Sequence, residues 1–426
     1  MAVSHHVRSA LLLFVLLAAL SGCAGGGAGP APASTSQPAA SATLVLWHGL
    51  AGAQRQALAR LVSRYNQQHP ASRVFAQSVP LASLSGDMRA ASAAGSAPHM
   101  VLLPSNMVGA LADDVLLPLD ALVGEDAQRG LVPAALGAAR ATGRDGKLHL
   151  YGQPVAFDTL ALLYNRANVL AVPATTADML DLAHGLSDPS AAPPRWGLAL
   201  NLSVEATIGY LYAFDGRLFD DAGGVALASS GRAGAERWLA WVAGLNADQR
   251  AMARPYSNIE IDRAIKNGQV MMTFGWAHQL ADYRQLWGDQ LGVAALPALS
   301  ETGRAPVPYV QSTVLGISAR ASAADQRAAA EFLAYMASDE AQRELLGAGM
   351  QPASSALKLD GDDALLAAAR VFRQQAEAGQ PLPNTPSQDA LRDEVWQMQR
   401  QVLEGRMPPA DAVSAADARL RQVLGQ

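Results

Sequence analysis

Residues able to do covalent chemistry are few and scattered in this chain. It carries one cysteine, Cys23, and outside its first 22 residues histidines only at 48, 69, 99, 149, 184 and 278. No HExxH, CxxC, GxSxG or Gly-rich phosphate loop ending in Lys-Ser/Thr is present, so the usual metal, thiol, acyl-transfer and nucleotide chemistries have no local signature. The carboxylate pairs Asp113-Asp114 and Asp220-Asp221 read as helix-end or turn residues, whereas a glycosidase needs two acids facing one bond. No signature of covalent chemistry therefore stands out. Polar and aromatic side chains fall where apolar runs end: Trp47-His48, Ser105-Asn106, Asp158, Trp276 in "FGWAH" and Gln311-Ser312. Such groups can donate, accept or stack, and no cofactor is called for.

Those positions are set by alternating strands and helices. "ATLVLWHGL" (42–50) is an apolar run of strand formers, and the next segment repeats Leu58, Leu61, Val62 and Tyr65 at helical spacing before Pro70 stops it. "SRVFAQSV" (72–79) and "SAPHMVLLPS" (96–105) read as further strands, the latter followed by a helical patch through Leu111 and then by "LLPLDALV". "LHLYGQPVAFDTLALLYNR" (148–166) gives two strand-like runs parted by the polar step Phe157-Asp158-Thr159, as though a strand leaves one sheet and enters another. Further on come a strand over 195–203, a helix over 231–245 with Trp238, Leu239, Val242 and Leu245 on one face, and a helix–strand–turn–helix unit over 259–288. Strands at "LGVAALPAL" and "YVQSTVLGISA", a helix at "DQRAAAEFLAYMAS" and a helical last 40 residues complete the chain. This rhythm predicts an α/β fold with a parallel sheet. Half of the residues are hydrophobic and 16% are charged, so a sizeable core is available, while a net charge of −5 without a basic stripe argues against nucleic acid as a partner.

The amino-terminal 42 residues have a different character. Residues 1–22 read as a secretory signal peptide, with an apolar core from Ala10 to Leu20 that is shorter than a membrane-spanning helix requires. Leu20-Ser21-Gly22-Cys23 resembles the bacterial lipobox, whose cysteine becomes the lipidated first residue. Residues 24–42 are Gly, Ala, Pro, Ser, Thr and one Gln, too poor in apolar surface to order themselves, and read as a flexible tether. The localisation expected is the cell envelope, outside the cytoplasm and anchored to a membrane through the lipid.

Five segments in order resemble the extracellular solute-binding proteins of ABC importers, in the group of maltodextrin and glycerol-3-phosphate receptors. They are "LVLWHGL…ALARLVSRYNQQHP", "APHMVLLPS", "DGKLHLYGQPVAFDTLALLYN", "AIKNGQVMMTFGWAHQL" and "VLGISARASAADQRAAAEFLAYMASDEAQRELLG". The resemblance implies a two-lobed periplasmic-binding-protein-like (type II) fold with a solute cleft between lobes and hinge crossovers near 156–159, 305–308 and 355. Lobe 1 would hold 43–156 and 308–355, lobe 2 157–307 and 356–426. It further implies a monomer that captures a small-molecule solute, a carbohydrate, and hands it to ABC permease subunits.

On that resemblance the cleft residues are His48, Ser105, Asn106, Asp158, Trp276, Gln311, Arg392 and Trp396. Each has a plainer alternative: Trp47 beside His48 can be core, Ser105 can cap the following helix, and Asp158 can be a turn residue at the hinge. Trp276 matches the family's sugar-stacking tryptophan, whose face suits the C–H face of a pyranose. Gln311 would place an amide in the cleft; Arg392 and Trp396 stand where the family supplies a last basic or aromatic contact. The glycerol-3-phosphate branch has an arginine where this chain reads "QPLPNTPSQ" (380–388), which favours a neutral sugar or oligosaccharide over a phosphorylated solute. A glycerophosphodiester receptor, or a lipoprotein of this fold that senses or adheres without transport, is the alternative.

Overall fold

A computed structural model describes residues 42–426 apart from 221–222, 253–256 and 386. The signal peptide, Cys23 and the tether through residue 41 lie outside the described residues, as does Asp221. Among the described residues no helix is long and apolar enough to cross a membrane.

Strands β1 (Ala42–His48), β2 (Ser72–Ser78) and β3 (Met100–Pro104) open the chain, followed by β4 (Arg140–Thr142), β5 (Leu148–Leu150), β6 (Gln153–Asp158) and β7 (Leu160–Asn165). Then come β8 (Trp196–Leu198), β9 (Val270–Trp276), β10 (Leu291–Ala294), β11 (Tyr309–Ile317), β12 (Gln351–Pro352) and β13 (Gln380–Pro381). Two sheets carry the architecture. The larger runs β12-β6-β11-β3-β1-β2, with β13 added to β11, and the smaller runs β10-β7-β9-β8.

In the larger sheet β1 pairs in parallel with β2 and β3, each connection made by a helix, as parallel pairing requires. Met100 to Leu103 of β3 are all buried, as expected for a strand covered on both faces. The helix Gly52–Gln68 buries Leu58, Leu61, Val62 and Tyr65. Tyr65 meets Phe332 of the helix Ala323–Met336 edge to face, with ring centroids 4.9 Å apart. The smaller sheet has its own core, in which Leu162, Leu198 and Met272 join Trp238 and Val242 of the helix Arg232–Ala247. The carboxy-terminal helices Gln388–Leu403 and Pro409–Leu424 close this core with Leu391, Met398 and Leu420.

The passage between sheets is abrupt. β6 belongs to the larger sheet and β7 to the smaller, and only Thr159 separates them. Thr159 is fully buried, and its hydroxyl donates to the Tyr309 carbonyl at 2.9 Å, tying the outgoing strand to the start of returning β11. The third passage, expected near 355, is drawn out. β13 still pairs with β11 at 380–381, and Asn384 accepts from Gly109 N–H at 2.7 Å before the chain enters the helix Gln388–Leu403. Glycine at 109 permits this approach, since a Cβ there would lie 2.9 Å from the Asn384 side-chain oxygen.

Several elements depart from the sequence reading. The strand over 195–203 shrinks to Trp196–Leu198, because Ser203 caps a new helix, Val204–Ala213. That helix, and those at Leu81–Ala93 and Ala364–Glu377, have no counterpart in the sequence reading. "LLPLDALV" (116–123) is irregular chain with Leu116, Leu119 and Val123 buried.

Candidate functional site

The strand ends at the sheet junction line two cavities that share Gln311 of β11. Open α/β sheets hold ligands at such ends, where the chain leaves the sheet.

The first cavity, about 910 Å³ including its open mouth, is walled by Asp158, His278, Gln311, Thr313, Gln54 and Met350, among others. Register places Asp158 of β6 opposite Gln311 of β11. His278 follows the end of β9, and β9 lies beside β7, so the strand pairing brings it back to the β6–β7 junction. Its backbone N–H donates to Asp158 Oδ1 at 3.2 Å, and its Nδ1 sits 2.5 Å from Oδ2. Burial pulls the His278 pKa down, but the Asp158 carboxylate outweighs it and the pKa is raised above the ordinary value. Each carboxylate oxygen therefore has one acceptor position in use, while the Asp158 side chain remains 25% exposed.

The second cavity, about 640 Å³, is walled from both sides. Asn106 reaches it from the larger sheet, just past β3. Glu205 of the helix Val204–Ala213 and Phe219 reach it from the smaller sheet's side. Gln388, Leu391, Arg392 and Val395 form one face of a single helix, at the spacing that aligns side chains along it. Two polar atoms in this wall stand out: Asn106 Oδ1 and Gln388 Oε1 are buried and find no hydrogen-bond partner among the described residues. Tyr309 lies beneath, 4% exposed, its phenol held far above the ordinary pKa by burial and by Tyr212. Arg392 is within 4 Å of Asp389 and Asp393 on its own helix, at 3.4 and 3.7 Å.

Of the eight residues expected in the cleft, Asn106, Asp158, Gln311 and Arg392 line one or other of these cavities. His48 and Ser105 are instead turned inward. His48 is 3% exposed and its Nδ1 accepts from Leu50 N–H at 3.2 Å, while burial, then Arg55, lowers its pKa. Ser105 neither caps a helix nor meets the cavity; its hydroxyl accepts from Ser312 N–H at 3.0 Å, and Ser312 donates onward to the Ala135 carbonyl at 2.7 Å. Trp276 ends β9 opposite Leu160, half-buried against the smaller sheet's core and outside both cavity walls. Trp396, 37% exposed, sits roughly a quarter-turn around its helix from the lining face. Asp113 is occupied structurally, accepting from the Tyr151 hydroxyl at 2.6 Å.

Sequence reasoning passed over His278, Glu205, Phe219 and Gln388. His278 stood two residues from Trp276 in a quoted segment, and Gln388 closed the quoted stretch 380–388 one turn before Arg392; Glu205 and Phe219 carry no local signal.

Comparison with known proteins points one way. The maltotriose-binding protein of Pyrococcus abyssi is 25% identical over 182 residues, 42% of this chain, and the aligned stretch spans 38% of that relative's length. Among solved structures, the maltose/maltodextrin-binding domain MalE from Bdellovibrio bacteriovorus, bound to maltotriose, matches with a TM-score of 0.71 at 23% identity, covering 90% of this chain and 100% of that one. A cyclo/maltodextrin-binding protein complexed with maltotetraose matches with a TM-score of 0.77 at 20% identity, over 91% and 98% of the two chains. These likenesses establish the two-lobed fold. The family model for bacterial extracellular solute-binding proteins matches residues 60–365, and the chain belongs to that family, whose members work outside the cytoplasm.

Proposed function

We propose that this protein is the receptor of an ABC importer, capturing a neutral sugar or oligosaccharide between its lobes and delivering it to a membrane permease. One observation carries the reading. A cavity walled from both sheets holds two buried carboxamide oxygens without partners, beside a carboxylate and an aromatic ring. Buried polar groups in proteins are almost always paired, so this wall is built for a ligand rich in hydrogen-bond donors, and hydroxyls on an apolar ring fit it. The maltotriose-, maltose- and maltotetraose-binding relatives support the same class.

Asp158, Asn106, Gln311 and Arg392 are the proposed contacts. A solute touching both lobes stabilises the closed arrangement through contacts the open one lacks, with the β6–β7 and β10–β11 passages as hinge. Cys23 is the proposed lipid attachment that keeps the receptor at its membrane, and no cofactor takes part. Arg392 in the wall keeps a glycerophosphodiester in view, but its two neighbouring carboxylates and Glu205 oppose an anion.

The test is a thermal-shift screen of the purified protein against maltose, maltotriose, other neutral saccharides and glycerol-3-phosphate. Ligand at a hundred times its dissociation constant adds about 2.7 kcal/mol of stability. A raised midpoint with neutral saccharides is expected; a response to glycerol-3-phosphate alone would replace this reading by the phosphorylated one.

A further inference from the structure

Of the buried side-chain atoms without a partner among the described residues, only Asn106 Oδ1 and Gln388 Oε1 belong to residues lining the second cavity, and none belongs to a residue lining the first. Asn106 is carried by the larger sheet, one residue beyond Ser105, whose bond to Ser312 N–H fixes that corner at 3.0 Å. Gln388 begins the helix Gln388–Leu403, whose Leu391, Val395 and Met398 belong to the smaller sheet's core. The two acceptors therefore approach the cavity from opposite lobes.

We infer that Asn106 and Gln388 form a cross-cleft acceptor pair that selects the solute by hydroxyl donors and registers closure of one lobe upon the other. The inference rests on the oligosaccharide reading above and adds to it a pair of specificity-determining residues. The physical signature is a conflict between stability and binding. A buried acceptor without a partner costs stability, and replacing it by an apolar group of the same shape is neutral or favourable. A side chain that weakens the ligand-free protein and strengthens the complex is there for the complex. Selectivity follows, because a site built to bond a hydroxyl rejects the analogue lacking it, leaving its own polar group unpaired.

The experiment is calorimetric titration of maltotriose and its monodeoxy analogues into the wild type, Gln388→Met, Asn106→Leu and the conservative Gln388→Glu, with ligand-free melting temperatures measured alongside. Each apolar variant is expected to bind maltotriose about ten- to hundredfold more weakly, with a ligand-free melting temperature unchanged or raised. Gln388→Glu, which keeps an acceptor, retains most of the affinity. At least one monodeoxy analogue binds the wild type poorly yet is no longer discriminated by the apolar variants. If the wild type binds maltotriose and the apolar variants bind it equally well, the pair is overturned while the receptor reading stands. A lowered ligand-free melting temperature in step with lost affinity would make both residues structural and also overturn the pair. A wild type that binds no saccharide overturns the receptor reading, and this inference with it.

Discussion

The two cavities that meet at Gln311 are opposites in how their polar groups are satisfied. At the β6–β7 junction the carboxylate of Asp158 is already held by two bonds from His278, at 3.2 and 2.5 Å. At the far side of Gln311, Asn106 and Gln388 hold buried oxygens with no partner among the described residues. One wall is pre-organised and costs little to leave as it is; the other is costly until something with donors fills it. The paired wall lies at the hinge, where geometry is fixed by a one-residue crossover, and the unpaired wall lies where the lobes face each other.

The unpaired wall carries the largest expected effect, the loss of about ten- to hundredfold in Gln388→Met and Asn106→Leu; removing the charge from the paired wall comes next. In Asp158→Asn the His278 pKa, raised in the wild type, falls, because burial then acts with less opposition; an NMR titration of the imidazole reads this directly. The stability consequence has a definite sign. The folded pKa is raised, so the stabilisation is fully present below the unfolded value of 6.5 and fades as pH rises through the folded value. With the imidazole 56% exposed the pair is worth about 1 kcal/mol or less. Maltotriose affinity is expected to drop about tenfold as a charge-assisted acceptor is lost. A wild-type stability profile that is flat between pH 6 and 8 would break the contrast between the walls.

The smallest expected effect is at Trp396. It shares its helix with Gln388 and Arg392 but stands outside the lining face, so Trp396→Ala should change maltotriose affinity less than twofold and stability within about 0.5 kcal/mol. A larger loss of affinity would show that the cleft extends around that helix.

Some helices were legible in the sequence because one face alone is buried. The helix Gly52–Gln68 and the helix Arg232–Ala247 showed their inner residues at helical spacing, and the Asp158 step marked the passage between sheets. The helix Val204–Ala213 is buried at all but two of its ten residues, so it presents no apolar stripe to recognise. The helix Leu81–Ala93 buries only Leu84, Met88 and Ser92 among small and polar neighbours, too faint a stripe to read. The site divides on the same line. Asp158 and Gln311 sit at strand positions that a local pattern can locate. Glu205 and Phe219 reach the cavity only through packing of distant segments, and nothing near them in the chain announces it, while Gln388 lies one turn before the expected Arg392 on the same helix. His48 and Ser105 occupy strand ends as expected, but a strand end fixes a backbone position, and their side chains found partners inside the larger sheet's lobe.

The central claim is that these two walls belong to one cleft that closes on a neutral oligosaccharide. Small-angle scattering of the purified protein with and without saturating maltotriose tests it most directly. The account predicts a smaller radius of gyration with maltotriose and no change with glycerol-3-phosphate. An unchanged radius at a concentration where calorimetry shows maltotriose bound would contradict capture by closure.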